Sequence, residues 1–273
     1  MSDSGFEFIT NKAEGKSMDL SYKEKQDKLN IRIRAHKEFA NFDIADWMEA
    51  FLQRKPRVNI LDLGCGNGNH LALYLKHVGD GGSVCGVDRE ASLIAEAKNR
   101  YVDATNLSLQ VGSMDDRLPF EDGHFDLCFS NFAIYNATGP RQTILEFKRV
   151  MQPGAELVLI GPTRNNAKEI YEFNERLTGT AIDEITLIRT DRLRLEILPI
   201  VQDIFSQVVE EVINSKLTFP SKDDFIQYFQ ATMLYEEGAE KLGIATDEMR
   251  AACATEKDVI LSKEMLAIVA VKD

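Results

Sequence analysis

Ile60-Leu61-Asp62-Leu63-Gly64-Cys65-Gly66-Asn67-Gly68-Asn69-His70 runs from an apolar, strand-like stretch straight into three glycines in G-x-G-x-G order. A helical pattern follows at His70–His77. Glycine belongs where a backbone must turn tightly and approach a ligand closely, because a Cβ would collide there. The helix start adds N–H groups that have no partner inside the helix. Alone, such a turn could be a plain strand-to-helix connection. With the strand before it and the helix after it, a ligand cradle is the better reading.

Outward from this stretch, short apolar runs alternate with amphipathic ones. Val58–Leu63, Ser83–Val87, Leu107–Val111, Phe125–Ser130 and Glu156–Ile160 read as strands, with helical patterns at His70–His77, Ala91–Tyr101 and Arg141–Met151 between them. Continuous apolar strands are those buried on both faces, and strand–helix alternation implies parallel pairing through right-handed crossovers. The expectation is an α/β fold with a doubly wound, mostly parallel sheet. Phe205–Val212 and Met265–Val271 supply two further strand patterns, seven in all.

Phe39, Phe42, Ile44, Trp47, Met48 and Phe51 recur at near-helical spacing, so residues 1–56 are expected as an N-terminal helical cover. The ligand-binding core is expected over 57–163. Residues 164–205 look mostly helical, interrupted by Gly179 and Pro199, and are expected as a cap inserted after the fifth strand. The rest of the sheet, with intervening helices, falls in 206–273, where Ser221-Lys222-Asp223-Asp224 carries a helix-start signal.

The chain has 273 residues, 44% of them hydrophobic, enough for one sizeable core. No stretch approaches the roughly 20 apolar residues a membrane span needs. The first residues are polar and acidic, without the basic-then-apolar order of a secretory signal. Cys65, Cys85, Cys128 and Cys253 are far apart and form no C-x-x-C pair, which argues for buried thiols in a reducing compartment and against a metal site. A cytoplasmic protein is expected. The net charge of −12 disfavours nucleic-acid partners, whose phosphates are bound mainly by Lys and Arg.

The ligand class follows from three positions. A dinucleotide fingerprint requires G-x-G-x-x-G, and position 69 is Asn. Asp62, two residues before the first glycine, would repel a pyrophosphate and attract an ammonium group. Asp88 ends the second strand in Cys85-Gly86-Val87-Asp88-Arg89, where a carboxylate can accept hydrogen bonds from both hydroxyls of a ribose. Alone it could be a capping acid; one crossover after the glycine turn, the ribose role is favoured.

Leu61–Gly68, Gly86–Asp88, Leu118-Pro119-Phe120 with Phe125-Asp126-Leu127, and Arg149-Val150-Met151-Gln152-Pro153-Gly154 resemble successive motifs of class I S-adenosylmethionine-dependent methyltransferases with a Rossmann-like sheet. Within that class the chain is similar to the small-molecule branch related to ubiquinone/menaquinone-biosynthesis enzymes. The resemblance covers about residues 57–163. It implies that Asp62, Gly64, Gly66 and Gly68 hold the methionine portion of S-adenosylmethionine, with Cys65 also at the cofactor, that Asp88 binds the ribose, and that Arg89 flanks the adenine. Met114 would pack on the adenine face and Asp115 would meet its amine. Where the family often has Gly-Asp, this chain has Gly112-Ser113-Met114-Asp115-Asp116, and the two acids could equally be solvated turn residues. Asn131, in Ser130-Asn131-Phe132, would lie near the sulfonium. The family's DNA-methylating members place Asn/Asp-Pro-Pro-aromatic at this position, and the prolines are missing here.

The resemblance implies methyl transfer to oxygen, nitrogen or carbon of a small metabolite, with S-adenosylhomocysteine as product. An enzyme acting on RNA or protein, and a non-catalytic binding module, are the alternatives. In-line displacement at a sulfonium carbon can be accelerated mostly by positioning and desolvation. A base is needed only for an acceptor that must lose a proton. Tyr135 is the candidate to face the transferred methyl, or else a core tyrosine. Neither His36, His70, His77 nor His124 stands out as a base. Tyr22 could contribute an aromatic cover. Arg189 and Arg192, three apart, could grip an anionic substrate or pair with Asp183, Glu184, Asp191 and Glu196 on the surface.

Overall fold

The computed structural model describes residues 26–54, 57–181, 184–253 and 259–273. Two helices come first, α1 (Gln26–Phe39) and α2 (Ile44–Leu52), the second capped by the Asp43 side chain accepting from Ala45 N–H. Then β1 (Arg57–Leu63), α3 (Leu71–His77), β2 (Val78–Asp88), α4 (Ala91–Arg100), β3 (Leu107–Val111) and β4 (Phe125–Asn131) alternate. A 3-10 turn (Ile134–Asn136) leads to α5 (Pro140–Val150) and β5 (Met151–Pro162). After these come α6 (Lys168–Thr178), α7 (Glu184–Thr190), a π-turn (Leu193–Ile197) and α8 (Leu198–Ile204). The chain ends with β6 (Gln207–Phe219), α9 (Lys222–Gln230), α10 (Met233–Glu237), α11 (Thr246–Ala252) and β7 (Val259–Val271).

The sheet order is β3-β2-β1-β4-β5-β7-β6. The first five strands are parallel and β7 runs antiparallel to both its neighbours. This is the seven-stranded, mostly parallel sheet expected from the motif order. Strand order reverses between β1 and β4, which opens a crevice beyond their carboxyl ends, the usual ligand position in open α/β sheets.

Two differences from the sequence expectation bear on the site. Residues 164–205 divide between two layers. Phe173 of α6 joins Phe219, Phe225 and Phe229 in an outlying cluster, while Leu193, Ile197 and Val201 pack into the core on one sheet face with Ile144 and Phe147. Pro199 does not interrupt this segment; it sits in the first turn of α8, where its missing N–H costs nothing.

The last two strands are also longer than their apolar runs. Pairing continues from Ile213↔Met265 through Ser215↔Lys263 to Phe219↔Val259, whereas β5 ends opposite Met265. The last six pairs therefore form a two-stranded ribbon overhanging the ligand edge by on the order of 20 Å. Helices α1 and α9 pack on it through Ala35, Phe225 and Tyr228.

Candidate active site

At the end of β1 the chain turns through Gly64, Gly66 and Gly68, with φ of +83°, +54° and +78°. A Cβ at Gly64 would stand 2.2 Å from the Ala133 Cβ, so close approach of the two loops forbids any side chain. A Cβ at Gly66 would meet nothing within 4 Å: there the bare backbone faces open space. Gly64 and Cys65 donate to Val87 O at 2.7 and 3.1 Å, which ties the turn to β2.

Asp88 completes the tie. Its Oδ2 accepts from Gly66 N–H at 2.8 Å and its Oδ1 from Glu90 N–H at 2.9 Å, fixing the carboxylate plane at the mouth of the crevice. Each oxygen keeps a lone pair for a further donor. Asp62 lies behind the turn, buried at 2% exposure, and its Oδ1 has no hydrogen-bond partner. Burial first, and the charge of Asp88 second, push its carboxyl from the ordinary 3.8 to about 8. Asn131 ends β4 nearby, its Nδ2 donating to the Tyr74 hydroxyl at 2.8 Å and its Oδ1 also buried without a partner. Tyr74, stacked on Phe129, is held far above its usual pKa, chiefly by burial. Phe132 follows in the left-handed region at φ +53°, locked by its N–H to Ile160 O at 2.7 Å.

A cavity of about 660 Å³ connects these groups, within the roughly 300–1,000 Å³ typical of small-molecule sites. Of the residues singled out in the sequence, Asp62, Gly64, Cys65, Gly66, Asp88, Arg89, Met114, Asp115, Asn131 and Tyr135 all line it. Gly68 lies behind, where a Cβ would strike Leu71 at 2.8 Å. Asp115 Oδ1 accepts from Thr138 and Gly139 N–H at 2.8 and 3.1 Å, just ahead of α5, so this acid is a loop clamp as well as a wall residue.

Arg189 and Arg192 are outside the cavity, which corrects their reading as a substrate grip. Arg192 is 5% exposed, and its Nη1 donates to Tyr135 O at 2.8 Å and Ala137 O at 2.7 Å while its Nε meets Glu196. The guanidinium staples the 3-10 turn to the π-turn. Tyr22 and Asp183 lie outside the described residues.

Four basic cavity residues were not carried by any motif. Arg32, His36 and Lys37 come from α1 and Lys263 from β7. Burial, with the charges of Lys263 and Arg32 adding to it, holds His36 down to about 3. Burial lowers His70 to about 4 against the pull of Asp43. Both histidines are therefore neutral at pH 7 and weak proton acceptors. His77 contacts Glu49 at 2.9 Å, and His124 is exposed, edge-on to Phe125.

The chain matches the family model described as a methyltransferase domain over residues 54–215, more than half its length. It belongs to the methyltransferase domain family. It is 31% identical over 143 residues to the 2-phytyl-1,4-naphtoquinone methyltransferase of Trichormus variabilis, a match spanning 51% of this chain and 60% of the relative. The demethylmenaquinone methyltransferase of Shouchella clausii is 28% identical over 177 residues, covering 62% and 67% of the two chains. The match spans less than two thirds of the first relatives' length, 32% for a protein of a Streptomyces fradiae transposon and 60% for the naphtoquinone enzyme. Among solved structures, the YcgJ protein from Bacillus subtilis aligns at a TM-score of 0.57 over 84% of this chain and 97% of that one, with 17% identity, a likeness of fold.

Proposed function

We propose that this chain is an S-adenosylmethionine-dependent methyltransferase acting on oxygen, nitrogen or carbon of a small metabolite. One observation carries the reading. Two buried acceptors, Asp62 Oδ1 and Asn131 Oδ1, stand without partners beside a bare glycine turn whose neighbouring acid, Asp88, is already oriented. Unpartnered buried acceptors are costly, and a ligand ammonium would satisfy them. S-adenosylmethionine fits this donor set: its ammonium suits Asp62, its ribose Asp88, and its adenine the wall of Met114 and Asp115 beside Arg89.

When bound, that cofactor supplies an electrophilic methyl group on sulfur. The residues of this chain do the rest. The glycine turn admits the ligand without steric cost, and Asp88 holds it by the sugar. Phe132 and Tyr135 line the cavity beside Asn131 and, with the ligand bound, would exclude water from the reacting edge. A proton acceptor is needed only where the methylated group must lose a proton. The Trichormus relative is named for a naphtoquinone, and Ile33, Phe42, Phe132 and Tyr228 in this cavity would suit an acceptor with an aromatic or apolar body. The net charge of −12 supports a metabolite over a nucleic acid. All four cysteines are free and buried, in keeping with a reducing compartment such as the cytoplasm.

Calorimetric titration with S-adenosylhomocysteine tests the reading. Binding in the micromolar range is expected, and no heat at millimolar ligand would sink it.

A further inference from the structure

An apolar row runs along one face of the β6–β7 pair from the sheet edge into the overhanging ribbon. Ile213 pairs with Met265 and Leu217 with Leu261, all nearly or fully buried. Between them sits Ser215↔Lys263, and both of these residues line the cavity. Strand alternation puts Lys263 on that face with Leu261 and Met265, and it is only 8% exposed. Its sequence neighbours face elsewhere. Glu264 is taken by Thr163 and Asn165, and the nearby Glu169 is taken by the Ser262 N–H and hydroxyl. No carboxylate of the described residues meets the Lys263 ammonium. The stem of Lys263 is buried and its ammonium reaches the cavity with no carboxylate beside it, so an anion entering there would supply its counter-charge.

The charges of the cavity are also segregated. Of its acids, Asp62, Asp88, Glu90 and Asp115 belong to strand ends and loops at β1, β2 and β3, with Arg89 among them, and only Asp43, ahead of α2, comes from the N-terminal cover. Lys263 stands on β7, three strand spacings from β1, or roughly 14 Å. That places it on the far side of the switch point from the glycine turn. His36 of α1 lies near it, with Arg32 one helical turn earlier. Ile33, Phe42, Phe132, Tyr228 and Met265 supply apolar wall between these charges.

We propose that Lys263 anchors an anionic oxygen of the acceptor, so that the substrate is an organic acid, ionised as carboxylate or phenolate, on an apolar or aromatic body. This rests on the methyl-transfer reading of the same cavity. The test uses a matched pair of probes, 2-naphthoate and its neutral analogue 2-naphthamide, titrated calorimetrically into protein saturated with S-adenosylhomocysteine. Naphthoate is expected to bind at least about tenfold more tightly, as for a charge-assisted hydrogen bond. Lys263→Met, which keeps the buried stem, should erase the preference, and Lys263→Arg should restore most of it. S-adenosylhomocysteine affinity should stay within about twofold in both variants.

Equal affinities of the wild-type protein for the two probes overturn the proposal with no variant needed. So does naphthoate binding too weak to measure. A loss of S-adenosylhomocysteine affinity in Lys263→Met overturns it differently, by assigning the lysine to the carboxylate of the cofactor's amino-acid end. If S-adenosylhomocysteine never binds the wild-type protein, the cofactor reading fails, and the same probe pair titrated into protein alone still decides whether Lys263 holds an anion.

Discussion

The two ends of the cavity are built by opposite means. The end at β1 and β2 is contiguous in sequence, made of bare backbone and acids, and tied together by main-chain hydrogen bonds from Gly64, Cys65 and Gly66. The end at β6 and β7 is assembled from α1, α9 and an overhanging ribbon, and its chemistry lies in basic side chains. A site of the first kind is rigid because main-chain hydrogen bonds fix both its turn and the carboxylates of Asp88 and Asp115. A site of the second kind can change specificity by side-chain replacement while the cofactor end stays as it is. The proposed pairing of a methyl donor at the first end with an acceptor at the second would use that division.

The largest expected effect tests rigidity at the first end. Gly64→Ala forces a Cβ onto Ala133 and a side chain into the left-handed region, and should cost about 3–5 kcal/mol of stability in urea unfolding. Gly66→Ala has the same backbone strain but open space, and should cost only about 1–2 kcal/mol. Equal losses at the two positions would show that contact between the loops is not what excludes a side chain at Gly64.

Next in size is Arg192→Ala. Two backbone carbonyls and Glu196 lose their donor, so stability should fall by about 2–3 kcal/mol. Naphthoate affinity, measured below the unfolding range, should hold. A selective loss of naphthoate binding without loss of stability would return Arg192 to the substrate.

These variants also mark what the sequence could and could not disclose. The glycine turn, Asp62 and Asp88 were legible because one crossover carries them all, and because strand and helix periodicity place them at a sheet edge. Arg192 misled because its spacing from Arg189 suggested one helical face; α7 ends at Thr190, and the following π-turn carries Arg192 inward. Lys263 stayed hidden for a different reason. The apolar alternation of β7 reads cleanly only from Met265 onward, and Ser262-Lys263-Glu264 looks like a solvated stretch. What buries it is antiparallel pairing with residues nearly fifty positions earlier and packing by α1 from the other end of the chain, long-range facts no local window contains.

A smaller effect is expected at Asp88. Asp88→Ala removes the proposed ribose anchor and frees the Gly66 and Glu90 N–H groups, and should weaken S-adenosylhomocysteine binding by about 1–3 kcal/mol in calorimetry. Unchanged affinity would show that the sugar lies elsewhere.

The smallest effect is a proton count, and it bears most directly on the unpartnered acid. Asp62 is surrounded by Asp88 of β2, Cys65 of the turn and Tyr74 of α3; burial keeps the thiol and the phenol un-ionised across the working range. With its own carboxyl raised to about 8, Asp62 holds a proton in the folded protein that the unfolded chain has released above pH 4. Its contribution to stability is therefore fullest below pH 4 and is lost as pH rises through 8. Asp62→Asn should remove that slope, read as a smaller fall in melting temperature between pH 5 and pH 8.5. An incoming ammonium favours the carboxylate, so binding of S-adenosylhomocysteine at pH 7 should expel on the order of one proton, measured by titration in buffers of different ionisation heat. Release should vanish in Asp62→Asn. If the wild-type protein expels none, the ammonium is not seated against Asp62, and the division between an acid-lined cofactor end and a basic acceptor end would have to be redrawn.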